Sequence, residues 1–271
     1  MIYSDLTLSQ KLERTEARTN ADFVETRVRL DPACGAGWIE VGGAYAMFDG
    51  VESPLTQTFG LGIFEATTTE HLDEMEMFFQ GSGAPVFHEV SPMADPSLMA
   101  LLSGRGYRPI ELTSVMYREL GAQPVDRRPR DARLSTRVVQ PNEVDLWAKT
   151  SAAAWATEHE SLADFMLNFG RVSAQCEGAH PYLAELDGRP IATGMLFIFD
   201  EVGMLAGAST IVDGRRLGAQ TALLEDRLEF AASRGCDLAM MGAVPGSQSQ
   251  RNAQKNGFNI AYTRTKWQLF D

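Results

Sequence analysis

One stretch, Val202 to Gly235, constrains this chain more than any other: an apolar run, a Gly/Arg turn and a helical apolar stripe follow each other without a gap. The run Val202-Gly-Met-Leu-Ala-Gly-Ala-Ser209 is short enough to be a largely buried strand. After it, Leu217, Thr221, Leu224, Leu228 and Ala231 recur at the spacing of a packed helix, and Arg234 followed by Gly235 marks its end. Between strand and helix lie Gly214, Arg215, Arg216 and Gly218. A turn of that composition leaves unpaired N–H groups at the positive end of the helix dipole. It predicts an anion site, for which pyrophosphate is the usual guest.

A second strand, Asp237 to Val244, leads to Pro245–Phe258, a segment that closes on Gly257-Phe258. Arg215-Arg-Leu-Gly218-Ala-Gln220 resembles motif A of the GNAT acyltransferase superfamily, Q/R-x-x-G-x-G/A, with the leading Arg and central Gly in place and Gln220 where the family has Gly or Ala. The strand and the short helix ending in Gly-Phe resemble the elements that follow motif A in that superfamily. The resemblance implies acetyl-CoA as cosubstrate. It implies that the backbone of Thr210, Ile211 and Val212 pairs with the pantetheine arm like an added strand. Arg215, Arg216, Leu217, Gly218, Ala219, Gln220 and Thr221 would surround the pyrophosphate, with Arg215 the best candidate for a charge-assisted contact. Ser249 and Asn252 would lie beside the cofactor or serve as helix caps.

Taken in order, the chain repeats itself. Leu6 to Leu30 reads as a helix ended by Pro32. Strands are expected over Gly35–Asp49, Pro54–Phe64 and Pro85–Val90, and helices over Thr68–Phe79 and Pro96–Ser103. The segment from Leu101 through Gly106-Tyr107 to Tyr117 parallels that from Asn252 through Gly257-Phe258 to Trp267, each ending a helix and giving two strands. In the N-terminal copy, Phe64-Glu-Ala-Thr-Thr-Thr-Glu-His71 stands where the C-terminal copy has its Gly/Arg turn, so that copy should not bind the cofactor. Residues 121–133, with two prolines and four arginines, read as a linker whose arginines are solvated or dock on the acidic N-terminal face. The expected fold is α+β: two GNAT-like domains in tandem, each a mixed, mostly antiparallel sheet with helices on both faces. The expected division is 1–120, a degenerate copy without cofactor loop, and 134–271, the acetyl-CoA-binding copy.

Charge narrows the partners. The formal net charge is −12, and from Asp31 to Gly104 there are eleven acidic residues and no Lys or Arg. This argues against a nucleic-acid backbone as partner and suits a cationic amine. No apolar run approaches the ~20 residues that span a bilayer, and the N-terminus lacks the pattern of a signal peptide, so a cytoplasmic place is expected. Cys34, Cys176 and Cys236 are far apart, and no metal-ligand spacing occurs. Oligomeric state is not readable.

Acetyl transfer to an amine needs a base for the amine, a polarised carbonyl and an acid for the departing thiolate. Glu158, His159 and Glu160 fall in the helix–helix loop that covers the acceptor side in the superfamily, and Glu185 stands on a central strand where burial would raise its pKa. The family implies a strand amide, near Gly242 to Val244, for the carbonyl. The acid tyrosine of many members falls at Ala253, which leaves Asn252 and Ser249 as its polar neighbours. The reading is an N-acetyltransferase of a primary amine. The alternative is a non-catalytic acetyl-CoA-binding sensor or interaction module, and a nucleotide-binding enzyme of another class lacks its glycine and lysine signatures here.

Overall fold

The computed structural model describes residues 4–121, 127–156 and 163–270. They form two compact units, Met1–Arg118 with Met240–Asp271, and Glu119–Ala239.

The first unit begins with α1 (Leu6–Leu30), which covers the predicted range, with Asp5 accepting from the Leu8 N–H at 2.9 Å as its N-cap. The stretch expected as one strand over Gly35–Asp49 is a hairpin, β1 (Gly37–Val41) and β2 (Ala44–Phe48), reversed at Gly42-Gly43. Then follow β3 (Gln57–Phe59), α2 (Thr69–Gly81), β4 (Phe87–Val90), α3 (Ser97–Gly104) and β5 (Tyr107–Glu119). From the far end of the sequence come α7 (Gln248–Lys255) and β11 (Asn259–Leu269). Each Gly-aromatic pair leads into a single long strand, of 13 and 11 residues, rather than the two expected. Each of these strands is paired along almost its whole length, with bulges absorbing the irregularities. The strand order is β1-β2-β3-β4-β11-β5, so the last strand lies between two strands of the first half, with Trp267 opposite His88 and Asn259 opposite Tyr117. Only β3 and β4 run parallel among these pairs.

Alternation along the strands sends side chains to two layers. Met47 and Phe59 meet Ala17, Ala21 and Val24 of α1. Val41, Ala44, Ala46 and Val90 meet Leu72, Met75, Phe79, Leu98 and Leu102 of α2 and α3. Helices therefore cover both faces. Under α1 the core is polar: Arg264 of β11, 4% exposed, is ion-paired to Glu13 (3.4 Å), Glu16 (2.6 Å) and Glu89 (3.0 Å).

The second unit runs β6 (Leu134–Val138), α4 (Val144–Trp155), α5 (Ala163–Ser173), β7 (Ala179–Leu186), β8 (Arg189–Phe199), β9 (Val202–Thr210) and α6 (Ala219–Ser233). Its strands follow the order β9-β8-β7-β6, antiparallel throughout, and β10 (Leu238–Ala243) carries the chain back into the first unit. α6 packs Ala219, Ala222 and Leu223 on Tyr182, Ala184, Ile191 and Ala192. On the other face of the sheet, Trp147 of α4 lies against Gly207 and donates its Nε1–H to Tyr182 O at 3.0 Å. Both units are α+β.

The buried face of α6 differs from the predicted stripe. Leu217, Thr221 and Leu224 are only partly buried, whereas Glu225 and Arg227 are nearly sealed. The reason is that Arg227 donates to the carbonyls of Leu223, Met195 and Ala206, and Glu225 has an ion-pair partner. Glu225 accepts from Arg130 at 2.9 Å, and Arg130 also holds Asp226 at 2.8 Å, while Arg127 pairs with Glu229. Arg133 stays exposed, paired with Asp131 at 2.8 Å. Arg127 and Arg130 strap the chain onto α6. Residues 122–126 of the expected linker lie outside the described residues.

Candidate functional site

The Gly/Arg turn is built to stay open. Ile211 donates to Ile191 O at 3.0 Å as β9 ends, and a 3-10 turn over Val212–Gly214 follows. Gly214 is pressed on the sheet, where a Cβ would come within 2.8 Å of Ile191 Cβ. Arg216 and Gly218 have φ of 65° and 82°. Gly218 occupies the N-cap of α6 in a left-handed conformation that glycine adopts without strain, and no side chain caps the helix. The helical ladder starts with Ala222 N–H donating to Gly218 O at 3.0 Å, so the N–H groups of Ala219, Gln220 and Thr221 precede it. Arg215, Arg216 and Gly218 are exposed, and space beside Gly218 is clear to 4 Å. Leu217 is anchored in the core below. A positive dipole end, two exposed arginines and an unobstructed glycine thus stand together at the opening of α6.

The matching place in the first unit is closed. There α2 is capped by Thr68, whose hydroxyl accepts from His71 N at 3.2 Å while the His71 ring returns a contact to Thr68 N at 3.5 Å. Its terminus is already satisfied by its own side chains.

Just upstream of the open turn, the β8–β9 ladder slips. Met195 faces Ala206 and Thr193 faces Ser209, so Gly207 and Ala208 together oppose Gly194 alone. The bulge has Gly207 at φ 58°. Gln220 turns its amide toward the sheet, donating to Ser209 O (2.7 Å), Thr210 Oγ1 (3.0 Å) and Thr193 O (3.2 Å). Gln220 thereby braces the end of β9. A β-bulge next to a ligand turn re-aims backbone groups that a regular ladder would consume.

Residues 144–258, which include both features, match the family model described as Acetyltransferase (GNAT) family. The segment is a GNAT-family domain. Solved structures agree on the fold of the whole chain. A GCN5-related N-acetyltransferase from Kribbella flavida superposes with a TM-score of 0.63 at 18% identity, covering 94% of this chain and 95% of that one. A tandem GNAT protein from the clavulanic acid biosynthesis pathway gives 0.60 at 13% identity, covering 98% and 96%. A GCN5-related N-acetyltransferase from Sphaerobacter thermophilus gives 0.56 at 18%, covering 83% and 76%. At such identities the likeness concerns the fold. No curated protein matches the sequence.

Within the GNAT domain, Thr210 to Thr221 form one continuous surface feature. Glu185 of β7 is held by Arg137 at 2.8 and 3.2 Å, and Arg137 also grips Glu143 at 2.6 and 2.8 Å. Its surroundings are those of an ion pair, not the unpaired apolar burial expected. Glu158, His159 and Glu160 lie outside the described residues. Ser249 and Asn252 are exposed on α7, in the first unit, and neither caps it; Ser247 does, accepting from Gln250 N at 3.2 Å. Asn252 Oδ1 accepts from Gln248 at 2.7 Å. Gly242 and Val244 are exposed at the end of β10, and Ala253, at the expected tyrosine position, is 2% exposed.

Two features escaped sequence reasoning. Gly207 inside a strand-like run is the signal that would have marked the bulge. Arg227 had none; it is 3% exposed beneath β8, and burial pulls its pKa down to about 10.

Proposed function

We propose that this protein is an N-acetyltransferase that moves an acetyl group from acetyl-CoA to a primary amine. The observation that carries the reading is the uncapped, glycine-opened N-terminus of α6 flanked by Arg215 and Arg216. In this reading Arg215, Arg216 and the N–H groups of Gly218 to Thr221 hold the pyrophosphate. The backbone of Thr210 to Val212 lies along the pantetheine arm. The family match over 144–258 supports acyl transfer as the chemistry.

The acceptor is a cationic amine in this reading, since a net charge of −12 raises the local concentration of cations at low ionic strength. Such an amine must lose a proton before attack. His159, with Glu158 beside it, is assigned that step by its chemistry and its place in the sequence. Glu185 is not, because Arg137 occupies its carboxylate. With Ala253 buried where an acid tyrosine is common, the thiolate takes its proton from water or from an acceptor group.

The test is calorimetric titration of acetyl-CoA into the wild type and an Arg215→Ala/Gly218→Glu double variant, followed by thiol release over a panel of amines. Micromolar binding lost in the variant, with turnover on at least one amine, is expected. Absence of binding to the wild type overturns the proposal. Binding with no turnover on any amine gives the sensor reading instead.

A further inference from the structure

We propose that Gln220 and Arg227 are positioning residues, a two-point clamp by which the anion-binding helix α6 sets the β8–β9 bulge and so the backbone that lines the donor site. The proposal rests on the acyl-transfer reading for its function but on geometry alone for the clamp.

Gln220 and Arg227 are seven residues apart on α6, about two turns, and so share its sheet-facing side. They reach opposite flanks of the same register shift. Gln220 Nε2 donates to Thr193 O and Ser209 O, the pair after the slip. Arg227 Nη1 donates to Met195 O at 2.9 Å and Ala206 O at 3.3 Å, the pair before it. Where a ladder slips, carbonyls lose their partner N–H groups, and on the β8 side, where Thr193, Gly194 and Met195 are buried, solvent does not replace them. Here helix side chains do so.

The fit extends to the neighbouring residues. A Cβ at Gly194, the residue opposite the bulge, would lie 2.7 Å from Arg227 Cζ, so that glycine makes room for the guanidinium. Arg227 has no ion pair among the described residues; its donors go to Met195 O, Ala206 O and Leu223 O. A buried unpaired cation costs more than an apolar side chain of the same size. Stability alone therefore does not explain an arginine here, whereas fixing four strand carbonyls does. Thr193 Oγ1, 2.7 Å from Ser209 Oγ and 3.4 Å from Gly207 O, completes the bracing from within the sheet. The clamp also accounts for Gln220 at a motif position normally occupied by Gly or Ala. The helix that receives the pyrophosphate at its N-terminus is tied by its own side chains to the strand segment that would receive the acyl group.

Hydrogen–deuterium exchange across residues 205–211 tests the clamp without any ligand, in wild type, Gln220→Ala, Arg227→Met and Arg227→Lys. Exchange there should quicken at least tenfold in Gln220→Ala and Arg227→Met, with β7 unchanged and Arg227→Lys intermediate. In turnover with acetyl-CoA and the best amine, kcat should fall at least tenfold while KM for acetyl-CoA stays within threefold. Unchanged exchange in Gln220→Ala, which removes a partly exposed side chain and should fold even if Arg227→Met does not, overturns the clamp. A rise in KM with kcat intact overturns the positioning role and assigns Gln220 to the phosphate loop. No binding of acetyl-CoA by the wild type overturns the acyl-transfer reading and the positioning role with it, while the exchange data still decide the clamp.

Discussion

Replacing Gly218 by alanine separates the two things a glycine in this turn can do. The residue has φ 82°, and a Cβ there would touch nothing within 4 Å. The structural cost is thus backbone strain alone, about 1–2 kcal/mol for an L-residue in the left-handed region. That lowers the melting midpoint by roughly 2–8 °C for a domain of this size. The added methyl, however, projects into the space where an anion would approach the first-turn amides. Losing one charge-assisted hydrogen bond there costs about 1.5–3 kcal/mol, or roughly a 10- to 150-fold rise in Kd for acetyl-CoA. Gly214→Ala is the control. Its Cβ would meet Ile191 Cβ at 2.8 Å and Ile191 O at 3.0 Å, so its cost is overpacking, about 1–3 kcal/mol, on the side facing the sheet. Differential scanning calorimetry and titration should therefore separate the two variants: similar stability losses, with the binding loss concentrated in Gly218→Ala. Equal affinity in wild type and Gly218→Ala would refute the cradle as drawn.

Three further perturbations follow from the same geometry. Glu13 is buried and its pKa is pushed up from 4.5 to about 7 by burial, against Arg264 and beside Glu16, Glu89 and Tyr262. A carboxyl that holds its proton more tightly when folded gives stability that is full below about pH 4.5 and lost as pH rises through about 7, roughly 3 kcal/mol in all. Urea midpoints of the wild type should thus fall across that window, while Glu13→Gln shows a flatter profile; parallel profiles would count against it. Arg130→Gln should destabilise by about 1–3 kcal/mol in urea, by stranding Glu225, and adding Glu225→Gln should recover much of the loss if the strap works through that pair. Ala253→Tyr should cost about 1–3 kcal/mol by overpacking and yield no gain in turnover, since position 253 faces the interior; a more active, equally stable variant would show the reverse.

Local signals were legible where local physics decides. α1 covers the range its apolar pattern and Pro32 indicate, and the Gly/Arg turn opens α6 as its composition requires. Gln220 was legible as a departure but not in its purpose, which depends on carbonyls 11 and 27 residues away in sequence. Glu225 and Arg227 carried no signal in the sequence, because burial of a charge is decided by partners, and those partners are the 127–130 segment and a slipped strand pair. Among the histidines, His71 reads as ordinary and serves as half of a capping box. His88, buried with Nε2 3.0 Å from Tyr107 Oη, has its pKa driven down to about 3 by burial. The place of the last strand was invisible. Periodicity says that Asn259–Leu269 is a strand, not which strands it will join.

That place has a bearing on how the chain comes to be folded at all. β4 and β5 are consecutive strands, yet each hydrogen-bonds to β11, which begins 169 residues after the end of β4 and 140 after the end of β5. On the ribosome the first half emerges with two open sheet edges facing each other and nothing to put between them. Its sheet can close only when Asn259–Leu269 leaves the exit tunnel, after the whole of the Glu119–Ala239 unit has had time to form. The N-terminal half is therefore the last to be finished, and a nascent chain stalled before Asn259 exposes an unfinished sheet to chaperones and to other chains.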